Sequence, residues 1–418
     1  MSEPQQLQRR LGTFDATAIG LGSMLGAGVF VVFAPAAALA GNLLVLSVVV
    51  AGVVAYCNAV ASAALAARYP TSGGTYVYGR KQLGEWPGFL AGWGFVTGKT
   101  ASCAAMALTF GSYVAPDYAV PVAVAAVVAL TGVNLLGITR TALLTRILLC
   151  VVLATLVFVA IAAILGPHPA AEPTGVPSGG AGGVLPAAGL MFFAFAGYAR
   201  IATLGEEVKD PARAIPRAIL AALAAAFAIY LALALLLLNH LPGGQLAASR
   251  TPLLDAVLKS GLSAGAPLVQ AGAAAACLGA LLALITGVGR TTLAMARERD
   301  LPGPLARVGG RHTVPFVAEL AVAAVVILLL LTTDVMTVVG FSSFGVLLYY
   351  AVANASAYTM EEHPGYAPRW LNAVGFVACL VLAFTLPPVS VLTMAGVLAA
   401  GVAGRWLVLR LRQHQPRA

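Results

Sequence analysis

The chain has 418 residues, of which 60% are hydrophobic and 9% are charged, and its formal net charge is +9. Soluble domains average about 25% charged residues, so this composition excludes an ordinary soluble protein and indicates a chain embedded in lipid. A membrane enzyme would need clustered His, Asp or Glu side chains at the membrane boundary, and the sequence has no such cluster.

Apolar runs recur along the whole chain. A membrane-spanning helix needs about 20 apolar residues, and twelve segments approach that length. They lie at about 14–40, 42–66, 88–113, 118–137, 142–165, 183–205, 214–239, 266–291, 314–332, 335–358, 371–386 and 388–408. The last two are short and close together, so one hairpin and two tight spans are both possible. The sequence therefore predicts an all-α integral membrane protein with about twelve transmembrane helices.

Basic residues are distributed unevenly among the loops. With a cytoplasmic N-terminus, all but four of the 24 Lys and Arg residues fall on the cytoplasmic side. The exceptions are Arg250 and Lys259 outside, and Lys99 and Arg200 within spans. Cytoplasmic loops carry an excess of Lys and Arg, so we expect a multi-pass protein of the cytoplasmic membrane with cytoplasmic tails at 1–13 and 409–418. The positive charge thus indicates topology and not a nucleic-acid partner.

Two predicted spans, the first and the sixth, are interrupted by small residues at 22–28 and 192–198. Hydrocarbon tolerates open backbone only where it lines a cavity, and a matched pair of interrupted spans points to a transporter's substrate site. The alternative is a glycine-rich face for helix packing. Because five spans separate the interruptions, we expect an inverted repeat of helices 1–5 (14–165) and helices 6–10 (183–358), with helices 11 and 12 (371–408) outside it.

Unwound backbone at these interruptions has the chemistry to bind an α-amino acid. Free N–H groups at the start of a half-helix attract a carboxylate, because the helix dipole is positive there. Free carbonyls around Phe193 and Ala196 can accept hydrogen bonds from an ammonium group. Together these groups suit a zwitterion and require no charged side chain.

Several segments resemble motifs of the amino acid–polyamine–organocation superfamily. They are GSMLGAGVF at 22–30, PTSGGTY at 70–76, FFAFAGY at 192–198, EEVKDP at 206–211, IPRAI at 215–219, and Arg290 with MAR at 295–297 and Leu301-Pro302. The resemblance covers about residues 8–405. It implies the five-plus-five inverted-repeat fold and amino-acid transport by alternating access.

The resemblance also implies roles for individual residues. The substrate-binding candidates are Ser23, Met24, Gly26, Ala27, Gly28, Phe193, Ala194, Ala196, Gly197 and Tyr198. The N–H groups of Ala27 and Gly28 would hold the substrate carboxylate, and the carbonyls of Met24, Phe193 and Ala196 would hold its ammonium. Phe193 would also cover the site as an aromatic lid, with ordinary packing as the alternative.

Two positions depart from the family pattern. Many relatives carry an acidic residue just after the aromatic residue of the sixth helix, where this chain has Ala199 and Arg200. Some proton-coupled relatives carry a lysine in the fifth helix, and this chain has Val152 in that region. The coupling device of those relatives therefore cannot be carried over.

Lys99 lies inside the third predicted span, among Gly, Ala, Thr and aromatic residues. A charge at that depth costs about 2.5 kcal/mol or more on insertion scales, so it usually faces a polar cavity. We expect Lys99 to act in coupling or substrate binding. The alternative is that its side chain extends toward the cytoplasmic interface.

The remaining features limit the substrate and its partners. All 15 acidic residues lie in loops, in tails or near span ends, which favours a neutral or an anionic amino acid over a cationic one, with neutral preferred. The scattered cysteines and histidines predict no metal site and no cofactor. We expect a proton-coupled transporter that is a monomer or homodimer. Sodium coupling, exchange, a polyamine or cationic cargo, and a non-transporting amino-acid sensor stay open.

Overall fold

The computed structural model describes residues 11–70, 74–136, 141–167, 180–202, 208–241, 243–309 and 314–413. Its helices are α1 (Thr13–Met24), α2 (Ala27–Val31), α3 (Phe33–Ala40), α4 (Leu44–Arg68), α5 (Gly74–Leu83), α6 (Glu85–Val114), α7 (Ala119–Leu135), α8 (Thr141–Leu165), α9 (Val184–Phe195), α10 (Ala199–Ala202), α11 (Pro211–His240), α12 (Gly243–Ala248), α13 (Pro252–Lys259), α14 (Ala266–Arg297), α15 (Phe316–Thr332), α16 (Val335–Tyr358), α17 (Arg369–Thr385) and α18 (Pro388–Gln413). Within these ranges the fold is helical apart from two isolated bridges. The motif residues Thr71, Ser72, Gly73, Glu206 and Glu207 lie outside the described residues.

Nine apolar helical stretches of at least 18 residues in the described chain could each cross a membrane. α15 and α17 are apolar but have 17 residues each. α6 has 30 residues and is more polar than those nine stretches. Each of the twelve predicted spans overlaps a helix, whereas the number that cross the bilayer stays a prediction. Short helices α5, α12 and α13 occupy segments that the sequence analysis treated as loops.

The first predicted span is divided twice. α1 gives way to α2 across Leu25 and Gly26, where Gly26 has a ψ of −146°. α2 gives way to α3 at Val32. Pro35 explains this second boundary, because it has no N–H to donate to the Val31 carbonyl and its ring crowds that oxygen. The sequence predicted an interruption over residues 22–28. In the structure the non-helical part is only Leu25 and Gly26, and a second boundary caused by Pro35 follows at Val32.

The sixth predicted span is divided near its end. α9 ends at Phe195, a 3₁₀ turn covers Ala196–Tyr198, and α10 continues to Ala202. A 3₁₀ turn has poorer hydrogen-bond geometry than an α-helix, so it marks a local weakening of the helix. Both interruptions predicted from the sequence therefore coincide with helix ends.

The two divided helices pack side by side inside the bundle. α1 packs against α10 and the 3₁₀ turn that follows α9, and α3 packs against α9. In the apolar window of the stretch that contains α9 and α10, 76% of the residues are buried. In the corresponding window of α18 the share is 11%. The divided helices thus form the interior, and α18 lies at the periphery.

The other helices pair in a regular way around this interior. α4 packs against α9, α11 and α16, and α1 packs against α8 and α11. α6 packs against α14 and α16, α14 packs against α8, and α7 packs against α15. α16 also packs against α9 and α17.

Small residues allow a close approach between α6 and α16. A Cβ atom at Gly345 would lie 2.5 Å from the carbonyl oxygen of Gly94, and one at Gly98 would lie 3.1 Å from that of Ser342. The hydroxyl oxygens of Ser102 and Ser342 are 2.6 Å apart across the same interface. Close backbone approach through small residues is how helices associate strongly where lipid replaces water.

A charged cluster lies where α5, the start of α6 and the ends of α14 and α18 meet, which we call the α5 end of the bundle. Asp300 is buried and accepts hydrogen bonds from Arg405 Nε at 2.7 Å, Arg80 Nη1 at 2.9 Å and the Tyr76 hydroxyl at 2.8 Å. Arg405 also donates to Glu85 at 3.0 Å. Burial, and then the hydrogen bond to Asp300, raises the pKa of the Tyr76 hydroxyl, which stays a donor.

Candidate functional site

A cavity of about 130 Å³ lies between α1, α6, α9 and α14. One water needs about 10–15 Å³ on a comparable scale, so the cavity has room for a small solute. Its wall comprises Ser23, Met24 and Gly28; Tyr76; Phe95, Lys99, Ser102 and Met106; Phe193, Ala194, Ala196, Gly197 and Arg200; and Ala280, Ala283, Leu284, Gly287, Arg290, Thr291 and Ala294. The wall therefore extends from both helix interruptions to the α5 end.

Most of the predicted binding residues lie on this wall. They are Ser23, Met24, Gly28, Phe193, Ala194, Ala196 and Gly197, together with the coupling candidate Lys99. Three others do not line it. Gly26 faces α14, where a Cβ atom would lie 2.7 Å from that of Ala280. Ala27 is fully buried, and the Tyr198 ring packs against that of Tyr350, with centroids 5.1 Å apart.

Two of the glycines allow the two divided helices to pack closely at their interruptions. A Cβ atom at Gly28 would lie 2.8 Å from Ala194 Cα, and one at Gly197 would lie 2.5 Å from the backbone of Ser23 and Met24. A real side chain at either position would push the two divided helices apart. The sequence analysis assigned these glycines to ligand approach or to helix packing, and the geometry requires them at least for packing.

Tyrosine hydroxyls already reach two of the carbonyls that were predicted to hold an ammonium group. The Tyr230 hydroxyl, from α11, lies 2.5 Å from the Met24 carbonyl and 3.1 Å from that of Ala194. The Tyr350 hydroxyl, from α16, lies 3.4 Å from the Ala196 carbonyl. A carbonyl oxygen has two lone pairs, so each can still accept a bond from a ligand.

The sequence analysis missed Tyr230, although a signal was present. It is the one polar side chain between Arg217 and Asn239 in an otherwise apolar helix. A buried tyrosine hydroxyl usually has a hydrogen-bond partner, so a lone tyrosine at that depth predicts a contact with open backbone.

The aromatic residue proposed as a lid, Phe193, is 7% exposed and lies on the wall. The neighbouring aromatic residues of α9 point elsewhere. Phe192 packs edge-on against Tyr350, and Phe195 packs edge-on against Tyr230. Phe193 is therefore the aromatic side chain of α9 that a solute in the cavity would contact.

Lys99 is 7% exposed and belongs to the face of α6 that lines the cavity. The four lining residues of α6 are spaced by four, three and four positions, as one side of an α-helix requires. They are Phe95, Lys99, Ser102 and Met106. The side chain of Lys99 therefore lies against the cavity and not against lipid.

Two further cations line the cavity. Arg200 follows the 3₁₀ turn and Arg290 lies near the end of α14. Arg290 interacts electrostatically with Glu319 of α15, a buried carboxylate that packs against Gly289. The sequence analysis quoted Arg290 as part of a motif and did not place it at the site.

The next feature is the distribution of residues that could bind a metal ion. Within the described residues there is no group of three or more His, Cys, Asp or Glu side chains that could hold a metal ion. The five cysteines are free, and four of them are buried.

Comparison with known proteins agrees with this architecture. Residues 11–402 match the family described as amino acid permease. An uncharacterized transporter of Mycobacterium tuberculosis is 56% identical over 417 residues, which cover 98% of this chain and 94% of that protein. The branched-chain amino acid permease BcaP of Bacillus subtilis is 29% identical over 345 residues, 76% of this chain and 73% of that protein.

For a plant relative, the match covers a smaller share of that protein's length. The chloroplastic cationic amino acid transporter 7 of Arabidopsis thaliana is 28% identical over 397 residues, 88% of this chain and 68% of that protein. All of these relatives are transporters and not enzymes. With a family match over nearly its whole length and many apolar helices, this chain belongs to the amino acid permease family of the amino acid–polyamine–organocation superfamily and is a multi-pass membrane transporter.

Proposed function

We propose that this protein is a secondary active transporter that moves an amino acid across the cytoplasmic membrane by alternating access. The observation that carries the proposal is the cavity at the meeting point of the two divided helices. Residues of both divided helices, among them Met24 and Ala196, line this space. An amino-acid zwitterion needs hydrogen-bond acceptors and donors close together, and a divided helix pair supplies both.

The packing of the helices supports the inverted repeat. Let the divided helix α1–α3 correspond to α9–α10, and α4, α6, α7 and α8 to α11, α14, α15 and α16. If the two sets are exchanged, the α6–α16 contact becomes the α14–α8 contact. In the same way the α1–α11 contact becomes α9–α4, and the α1–α8 contact becomes α9–α16. All six of these contacts are present. Contacts α4–α11, α6–α14 and α7–α15 map onto themselves, as expected of two repeats related by a two-fold axis.

The extent of the cavity supports alternating access. Its wall continues from the helix interruptions along α14 to Arg290 and Ala294, and Tyr76 of α5 also contributes to it. From the distribution of lysine and arginine we infer that the α5 end faces the cytoplasm. A site that is reached from the cytoplasm would be one of the two states that such a transporter alternates between.

The charge of the wall bears on substrate and coupling. No Asp or Glu side chain is among the described residues that line the cavity, so nothing there would neutralise a cationic cargo. We propose that the substrate is neutral or anionic and that protons drive its uptake, with Lys99 as the proton-binding or substrate-binding group. The names of BcaP and of cationic amino acid transporter 7 show that cargo differs among relatives. We also propose that the protein is a monomer or a homodimer and that both of its termini lie in the cytoplasm.

Uptake into proteoliposomes tests the proposed function. Purified protein would be reconstituted, and labelled amino acids would be offered with an inward proton gradient, with a sodium gradient, and with neither. We expect accumulation that depends on the proton gradient and is lost on adding a protonophore. In Lys99→Ala, we expect loss of the concentrative step.

Protein-free liposomes serve as the control for leakage. If the protein binds an amino acid but moves none under any gradient, the transporter proposal fails and a sensor function replaces it. Accumulation that follows sodium and ignores protons would overturn the coupling assignment alone.

A further inference from the structure

We propose that the cavity selects an amino acid that carries a second acidic group, and that the ammonium group of Lys99 binds this group. The inference rests on the transport function proposed above and narrows its substrate to the dicarboxylic amino acids. It follows from the position of Lys99, from the charges around it, and from the cost of burying an unpaired ammonium.

Lys99 faces the space that the substrate would occupy. It lies on the cavity-lining face of α6, one turn from Phe95 and one turn from Ser102. The helix interruptions line the same cavity from the two divided helices, through Ser23 and Gly197. A zwitterion held by backbone groups at the interruptions would therefore share the cavity with the lysine ammonium.

The charge of the cavity wall is unbalanced at Lys99. Three cations line the cavity, and no carboxylate does among the described residues. Arg290 has the nearby carboxylate of Glu319, and Arg200 has contacts of its own. Lys99 makes no hydrogen bond or ion pair with any described residue, and the ionisable group that it interacts with is the Cys103 thiol on the same helix.

A buried ammonium without a partner is costly, because it loses its hydration and gains nothing in return. A ligand carboxylate within hydrogen-bond distance offsets this loss with a charge-assisted bond, which is stronger than a neutral one. A side-chain amide offers only a neutral acceptor to the same ammonium. The zwitterionic part of any amino acid carries no net charge, so an excess positive charge in the wall matches an excess negative charge on the ligand.

Binding to the detergent-solubilised full-length protein tests this inference. L-Glutamate and L-aspartate would be compared with their neutral isosteres L-glutamine and L-asparagine by isothermal titration calorimetry. We expect the acidic member of at least one pair to bind at least tenfold more tightly. Lys99→Gln should remove this discrimination, and Lys99→Arg should retain most of it because the positive charge remains.

Lys81→Gln is the matched control, since it removes an exposed lysine of α5 that does not line the cavity. It should leave the ratio of affinities unchanged. Size-exclusion profiles and unfolding temperatures would establish that each variant is folded, so that a lost preference reports recognition.

Each other outcome has a distinct meaning. If neutral amino acids bind as tightly as acidic ones and Lys99→Gln changes neither, the inference is overturned while the transport function stands. If Lys99→Gln weakens acidic and neutral amino acids equally, Lys99 holds the α-carboxylate, which also overturns the inference. If no amino acid binds to the wild-type protein, the proposed function itself fails.

Discussion

Among individual residues, Tyr230 contacts both divided helices. Its hydroxyl lies within hydrogen-bond distance of one carbonyl on α1 and another on α9, while its ring packs edge-on against Phe195 at a centroid distance of 4.9 Å. One side chain from α11 thus connects both divided helices. Because a hydroxyl has one proton, it donates to one carbonyl at a time, and a switch between them would follow any relative movement of the two helices.

Replacing Tyr230 with Phe keeps the ring and removes the hydroxyl. We expect the free energy of unfolding to fall by about 1 kcal/mol, the usual net value of one hydrogen bond, and substrate affinity to change because the Met24 carbonyl gains a free lone pair. Thermal unfolding and ligand titration would measure the two effects. Tyr118→Phe, at a 68% exposed position, is the control; an equal loss of stability in both variants would contradict the assigned role.

Several candidate binding residues line the cavity, and they belong to two short continuous segments of the sequence. Each interruption is one continuous run of small residues, so Ser23, Gly28 and Gly197 could be selected as candidates from the sequence. Tyr76 and Arg290 reach the cavity from α5 and α14, which lie more than 40 residues from either interruption. Nothing in a local pattern links such distant positions.

Among the helices, α6 both lines the cavity and packs closely against α16. One face carries Lys99 and lines the cavity. Another face packs against α16 through Gly94 and Gly98 at close range. Any change in the α6–α16 distance would therefore move Lys99 relative to the helix interruptions.

Two glycine-to-alanine substitutions separate packing from helix propensity. Both Gly345, in α16, and Gly396, in α18, lie inside helices, where alanine is favoured by about 1 kcal/mol. A Cβ atom at Gly345 would lie 2.5 Å from a carbonyl oxygen of α6, whereas one at Gly396 would meet nothing within 4 Å. We expect Gly345→Ala to lower the unfolding temperature and Gly396→Ala to leave it unchanged or raise it. Equal shifts would show that the α6–α16 approach is not limiting.

For the whole molecule, the distribution of basic residues between the two ends of the bundle predicts its orientation in the membrane. The residues around Asp300 and Arg405 join α5 to the end of α14 and to α18, and basic residues are frequent in these segments. α13 follows the far end of α11 and carries the exposed Lys259, one of the two basic residues predicted to lie outside. On the positive-inside rule, we propose that the α5 end faces the cytoplasm.

Single cysteines introduced into a cysteine-free background would test this orientation. We expect Lys259→Cys to react with a membrane-impermeant maleimide in intact cells, and Lys81→Cys to react only after the membrane is permeabilised. Both positions are exposed in the structure, so accessibility to solvent does not differ between them. The reverse labelling pattern would contradict the proposed topology and the cytoplasmic assignment of the cavity opening.

The sequence by itself determined the class of protein, the approximate bounds of its helices and the places where two of them divide. These features depend on contiguous residues: long apolar runs, basic loops, and glycine or proline within a helix. Gly22, Gly26 and Gly28, for example, indicated the first division from one short segment. The family resemblance rested on the same kind of continuous segment.

Only the tertiary structure decided which side of each helix faces the cavity. In a soluble protein the apolar face identifies the interior, but here lipid and protein interior are both apolar. Leu392 is 72% exposed and Leu281 is fully buried, and hydrophobicity does not distinguish them. For this reason the sequence could not show that Gly26 and Tyr198 do not line the cavity, or that Tyr76 and Arg290 do.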